Sequence, residues 1–175
     1  FRLLLDYAPP RSDIRTVPKT LSWQYREDGE FVTKTAEDLF AGKRVVVFAI
    51  PGAFTPTCTS KHLPGYEKLF AKLKKAGKLD EIYCLSVNDA FVMDAWFKDL
   101  KIKKIKHIPD GALEFTNWAD MRINKNYIGF GDRSWRYSVV IDDMITTAWF
   151  KEPSGASDDP FKESSAERML EYLSS

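Results

Sequence analysis

The stretch Val45-Val-Val-Phe-Ala-Ile-Pro-Gly-Ala-Phe-Thr-Pro-Thr-Cys58 decides the reading of this chain. Its first half, with Arg44 in front, is an unbroken β-branched and aromatic run, the pattern of a central strand buried on both faces. Pro51 ends the run, and residues 51–57 form a glycine-and-proline turn. Over 58–75, apolar Leu63, Tyr66, Leu69, Phe70 and Leu73 recur at spacings of three and four. They predict a helix closed by Gly77, with Pro64 kinking its first turns. A cysteine thus stands at a helix start, beyond the carboxyl end of a buried strand, which is where open α/β sheets bind ligands.

Outward from this segment the alternation repeats. Residues 81–87 read as a strand, and 90–100 as a helix with Phe91, Val92, Ala95, Trp96 and Leu100 on its apolar face. A strand at 104–108, a helix at 112–121, strands at 135–141 and 145–150 about the Asp142-Asp143 turn, and an amphipathic helix at 164–173 complete the chain. On the other side, Trp23 and Tyr25 before Asp28-Gly29, with Phe31, Val32 and Thr33 after it, predict a hairpin. Thr35-Ala-Glu-Asp38 is a capping box that opens a short helix ending near Gly42. Pro9, Pro10 and Pro18 make 1–19 an extended lead-in. These elements predict a single α/β domain over 1–175, a mixed central sheet with helices on both faces, and a thioredoxin-like fold accommodates all of them.

Composition narrows the function. The 175 residues carry 26 Lys+Arg against 25 Asp+Glu, so there is no basic excess to argue for nucleic acid or an anionic membrane. With 44% hydrophobic and 14% aromatic residues, a core can form without disulfides or a structural metal. The longest apolar run, 45–50, is far from the roughly 20 residues that span a bilayer, and a soluble protein is expected. Two cysteines and two histidines leave a zinc site without enough ligands, and no cofactor is expected. The cysteine usage fits a reducing, intracellular compartment. The chain begins at Phe1 rather than Met, so an upstream address to an organelle matrix is compatible with it.

Cys58 is flanked by Thr55, Pro56, Thr57, Thr59 and Ser60, which are turn and capping residues rather than an apolar stripe. Free N–H groups in a helix's first turn favour a thiolate over a thiol, and the thiolate is the nucleophile. Disulfide exchangers of this fold carry Cys-x-x-Cys at such a turn, whereas the spacing here reads Thr55-Pro-Thr-Cys58. A hydroxyl cannot resolve a mixed disulfide. It can donate to the sulfur or to a bound oxygen and accept from a substrate, which suits attack on an electrophilic oxygen.

These residues carry a resemblance. Pro51, Thr55 and Cys58 meet the pattern Pro-x-x-x-Thr/Ser-x-x-Cys. The blocks Pro51-Gly-Ala-Phe-Thr-Pro-Thr-Cys58, His62-Leu-Pro-Gly-Tyr66, Cys84-Leu-Ser-Val-Asn-Asp-Ala-Phe-Val92 and Arg133-Ser-Trp-Arg-Tyr137 follow in order. From about residue 20 onward the chain resembles the peroxiredoxins, and within them the type II (peroxiredoxin 5) subfamily. The resemblance implies reduction of hydrogen peroxide and alkyl hydroperoxides, with Cys58 the peroxidatic nucleophile that becomes a sulfenic acid. It implies that Thr55 hydrogen-bonds the thiolate and the peroxide, that Pro51 limits solvent access, and that Arg136 stabilises the thiolate and the developing charge. Arg133 is the alternative for the arginine.

His62, four residues after Cys58, either tunes the thiolate or is a helix-face or interface histidine, the latter preferred, and His107 has no argued role. Cys84, in an apolar strand, is the only internal candidate for a resolving cysteine and reads more readily as a structural thiol. The reductant is then an external thiol, glutathione with glutaredoxin, or thioredoxin. A peroxide sensor or redox-regulated holdase is the alternative from another functional class, and a disulfide oxidoreductase or glutathione transferase-like protein the same-fold one. The resemblance also implies a non-covalent homodimer, or a monomer in some members. Phe54, Phe91, Trp118 and Phe130 are candidates for lining that interface.

Overall fold

The computed structural model describes residues 13–153 and 159–175. At its centre is a five-stranded sheet. It is built from β3 (Arg44–Ile50), β4 (Glu81–Ser86), β5 (Lys106–Pro109), β8 (Tyr137–Asp142) and β9 (Ile145–Lys151), in the order β5-β4-β3-β8-β9. The β3, β4 and β5 strands are parallel, while β8 runs antiparallel to both its neighbours, β3 and β9. Strand alternation divides β3 between two cores. Val46, Phe48 and Ile50 face one side, and Val45, Val47 and Ala49 the other, all without exposed surface. The first face is covered by α2 (Leu63–Lys68), α3 (Phe70–Gly77), α4 (Ala90–Asp99) and α6 (Ala166–Leu173), through Leu63, Tyr66, Leu73, Met93, Trp96 and Met169. The second is covered by the hairpin β1 (Ser22–Glu27) and β2 (Glu30–Thr35), with α1 (Ala36–Phe40) and α5 (Glu114–Trp118). The expected mixed sheet with helices on both faces is present, and the continuous apolar run is its middle strand.

Local signals act as their chemistry requires. The capping box forms in both directions: the Thr35 hydroxyl oxygen accepts from the Asp38 amide at 3.2 Å, and the Asp38 carboxylate accepts from the Thr35 amide at 2.9 Å. The Asp110 carboxylate, buried at the end of β5, gathers the Trp23 indole, the amides of Phe115 and Thr116 and the Thr116 hydroxyl. It thereby ties the hairpin and α5 to the sheet. Of the lead-in, residues 13–19 are described. Val17 is buried, its amide donates to the Met144 carbonyl at 2.7 Å, and Thr16 bridges Ile145 beside β9. Pro9 and Pro10 lie outside the described residues.

Three elements differ from expectation. The helix at 58–75 is divided into a π-helical turn (Cys58–His62), α2 and α3, the last two separated at Leu69, whose φ of −94° and ψ of 7° leave the helical well. The helix at 112–121 shrinks to α5, because Gly111 and Ala112 form a turn and Leu113 takes a left-handed φ of 63°. A small hairpin of β6 (Arg122–Asn124) and β7 (Asp132–Ser134) has no counterpart in the sequence pattern. Its strands are three residues each and too short to show a period.

Candidate active site

Sheet register brings the site together. In the β3–β8 pairing Ala49 stands opposite Tyr137, so Arg136, one residue before β8, is carried to the end of β3 where the Pro51 turn begins. In the next pairing Tyr137 stands opposite Lys151, and Glu152 beyond it donates its amide to the Arg136 carbonyl at 3.2 Å. Residues 78 positions apart in sequence, Cys58 and Arg136, thus meet at one sheet end.

Helical backbone begins at Pro56, a residue suited to a first helical position because its missing N–H would have had no partner there. Cys58 lies in that first turn. Pro64 removes a donor, and its ring crowds the carbonyl four residues back, so a regular α-helix cannot run through this point. The backbone widens instead, with the Leu63 amide donating to the Cys58 carbonyl five residues earlier. The widened turn faces Cys58 and His62 inward, each without exposed surface, and leaves Ser60 and Lys61 exposed. The Trp96 indole donates to the Thr59 hydroxyl at 3.1 Å and ties the turn to α4. The expected polar turn is therefore only the rim, and the sulfur lies beneath it.

Arg136 is 1% exposed and lies against the cysteine. Its Nη2 donates to Cys58 Sγ at 3.2 Å and to Asp159 Oδ1 at 2.5 Å, its Nε to the same carboxylate oxygen at 3.2 Å, and its Nη1 to His62 Nδ1 at 2.9 Å. Burial opposes the guanidinium charge, but Cys58 and Asp159 outweigh it, and the pKa stands above the ordinary arginine value. His62 Nε2 meets the Ser164 carbonyl at 2.9 Å. A carbonyl only accepts, so the proton resides on Nε2 and the Nδ1 lone pair faces the arginine. Burial first, then the Arg136 charge, push the imidazole pKa well below its usual value, so the ring is neutral at pH 7. Phe48 and Phe161 pack on the ring at centroid distances of 4.8 and 4.9 Å. His62 thus touches the arginine rather than facing solvent or an interface. No sequence signal located Asp159 in the site.

The Thr55 hydroxyl, expected on the thiolate, donates instead to the Gly52 carbonyl at 2.6 Å and closes the turn. Its lone pairs stay available to accept from a ligand. Pro51 is buried, and its carbonyl accepts from Arg133 Nη1 at 3.1 Å. Arg133 crosses Gly52 so closely that a Cβ there would collide with Nη1. The two arginines therefore do different work, Arg136 reaching the sulfur while Arg133 braces the turn. Asn88, which no sequence signal singled out, accepts from the Ala53 amide at 3.0 Å and from the Ser86 hydroxyl, fastening the turn to β4. Cys84 is a free, fully buried thiol in β4, level with Phe48 and in the same core as Cys58. Burial, with the Cys58 charge adding to it and Arg136 opposing, pushes the Cys84 thiol far up. His107 donates Nε2 to Asp94 at 2.7 Å and stacks on Tyr25 at the far sheet edge, outside this site.

Comparison with known proteins gives the same assignment. The Redoxin family model matches residues 17–170. The peroxiredoxin y4vD of Sinorhizobium fredii is 47% identical over 160 residues, covering 89% of this chain and 80% of its own. The hybrid peroxiredoxin hyPrx5 of Haemophilus influenzae is 46% identical over 159 residues, covering 91% of this chain and 65% of its own. Among solved structures, reduced Prx3 from Vibrio vulnificus in complex with hydrogen peroxide superposes with a TM-score of 0.82 at 38% identity, over 91% of this chain and 96% of that one. The likeness spans both the sheet and the Cys58 turn, so the chain belongs to the peroxiredoxins, the thiol-dependent peroxidases of the Redoxin family.

Proposed function

We propose that Cys58 reduces hydrogen peroxide and alkyl hydroperoxides, and that an external thiol resets it. Cys58 sulfur attacks one peroxide oxygen, a bond to that oxygen forms as the O–O bond breaks, and the electron pair leaves on the second oxygen, which takes up a proton as water or alcohol. The product on the protein is a sulfenic acid. The observation that carries this reading is the Arg136 Nη2 contact with Sγ, 3.2 Å long and closed off from water. From there the guanidinium supports negative charge on the attacking sulfur and on the departing oxygen, in surroundings that strengthen it. Thr55, its own proton held by Gly52, accepts the peroxide O–H, and Pro51 closes the wall of the turn.

Cys84 does not suit the reset. It is held in the sheet between Phe48 and His107, and its raised pKa keeps it a thiol at neutral pH. Glutathione with glutaredoxin, or thioredoxin, is the donor class this favours. Two free thiols among the described residues fit a reducing compartment, the cytoplasm or an organelle matrix, and no described helix is long and apolar enough to cross a membrane. Exposed Phe54 and Phe91 leave apolar surface for a non-covalent homodimer, whereas Trp118 and Phe130 are half-buried under Arg15 and Arg133. The test is steady-state peroxide consumption by wild type, Cys58→Ser and Cys84→Ser with each donor. Cys58→Ser is expected to be inactive and Cys84→Ser to keep turning over with at least one donor. Loss of all turnover in Cys84→Ser would refute the external-thiol route.

A further inference from the structure

Glu152 takes no part in the mechanism above, yet it is 2% exposed and closely engaged. It lies one residue beyond β9, and its carboxylate accepts from the Lys162 amide at 2.9 Å, the Ser164 amide at 2.8 Å and the Ser164 hydroxyl at 2.6 Å. Those bonds wrap the segment before α6 around one side chain and fix where the Ser164 carbonyl points. That carbonyl accepts from His62 Nε2 at 2.9 Å and from the Tyr66 hydroxyl at 3.2 Å. It thereby sets the histidine tautomer, and the tautomer decides what Arg136 meets. A bare Nδ1 accepts from Nη1; with the proton moved there, two donors would oppose each other and the guanidinium would turn away from Sγ.

We propose that Glu152 and His62 are positioning residues for Arg136, joined through the Ser164 carbonyl into one chain of hydrogen bonds ending at Cys58 Sγ. The proposal rests on the peroxidase reading and deepens it. The chain explains why a strand end, a helix turn and the segment before the last helix all meet behind the sulfur. Arg136 divides its donors between Asp159 and the thiol, and His62 holds the third direction of the guanidinium fork, which removes its freedom to swing wholly onto the carboxylate.

The test is a set of double-mutant cycles read by the second-order rate of Cys58 oxidation by hydrogen peroxide. His62→Leu is expected to slow oxidation at least ~10-fold, since a reacting group displaced by about an ångström loses that much or more. His62→Asn places its Oδ1 where Nδ1 was and should stay within about threefold of wild type. Glu152→Gln, which turns an acceptor into a donor facing an amide, should slow oxidation by roughly three- to tenfold. In an Arg136→Ala background, His62→Leu and Glu152→Gln should each change the rate less than about twofold, because the group they position is gone. Effects of full size in that background, or equal rates for His62→Leu and His62→Asn, overturn the proposal. If Glu152→Gln does not fold, Glu152→Asp takes its place, with the carboxylate kept but withdrawn from the Ser164 amide; it should slow oxidation in the wild-type background and not in Arg136→Ala, and an unchanged rate removes Glu152 from the chain. A wild-type rate no higher than that of free cysteine would sink the peroxidase reading and this proposal together, an outcome distinct from the other two.

Discussion

Acid should destabilise this protein through His62. In the folded chain, burial and Arg136 hold the imidazole well below its usual 6.5, so below that pH the unfolded chain binds a proton that the folded one refuses. Stability from this group is complete above pH 6.5 and is lost as pH falls, the sign expected when the unfolded state binds more protons. Full titration of the unfolded imidazole sets the ceiling on this loss, about 1.0 kcal/mol between pH 6.5 and 5.5 and about 2.3 kcal/mol by pH 4.5. The assay is urea unfolding at pH 6.5, 5.5 and 4.5, with thiols kept reduced, on wild type and His62→Asn. His107, lowered by burial, acts in the same sense, and Asp110, raised by burial, in the opposite one. Both are common to the two proteins, so the difference between the curves isolates His62. Wild type should lose more stability than His62→Asn across this range, by up to about 2 kcal/mol. Parallel curves would show that residue 62 titrates alike in both states and would refute the neutral, arginine-facing imidazole.

Three further substitutions probe the turn. Thr55→Val removes both the bond to Gly52 and the proposed acceptor for the peroxide, and stopped-flow oxidation of Cys58 should slow at least ~10-fold, the kinetic equivalent of one hydrogen bond; an unchanged rate removes Thr55 from the mechanism. Gly52→Ala drives Arg133 off the Pro51 carbonyl and should lower unfolding free energy by about 1–2 kcal/mol. Arg133→Ala should lower it by a similar amount, with the double variant no worse than either alone, and additive losses would mean that the two residues do not meet through this bond.

The sheet is legible because its central strand is buried on both faces, which leaves a continuous apolar run that few other structures produce. Cys58, Thr55 and Pro51 are legible for a related reason: proline, glycine and hydroxyl residues directly after such a run have little to do in a core. Arg136 becomes identifiable only through resemblance, since one arginine among 26 basic residues has no local signature. What escapes a sequence depends on register and long-range contact. Helical spacing favours a surface or interface role for His62, because spacing alone cannot show that its inner face meets a buried guanidinium. Glu152 follows the β9 strand and looks like any polar terminator, and the role proposed for it arises from amides 10 and 12 residues later. The π-helical turn is half legible: Pro64 announces a disruption, but not that the backbone widens rather than bends.

A sulfur without exposed surface has to serve two reactants of very different size. A hydroperoxide group is two oxygens across and can enter a cleft that opens by the breathing of one side chain, whereas a donor thiol on a peptide or protein must bring its own sulfur into line with the Cys58 oxygen. Under the reset proposed here, the turn at Cys58–His62 must therefore move after oxidation. It is suited to that: Pro64 contributes no backbone donor, the π geometry is poorer than an α-helix, and Leu69 already breaks the helix behind it. What resists is the indole bond from Trp96 to Thr59 and the two bonds made by His62. On that reading, the His62 contacts proposed to aim Arg136 at the thiol are among those given up when the cysteine is reset. A variant that strengthens them should gain in peroxide reactivity what it loses in reduction by bulky donors.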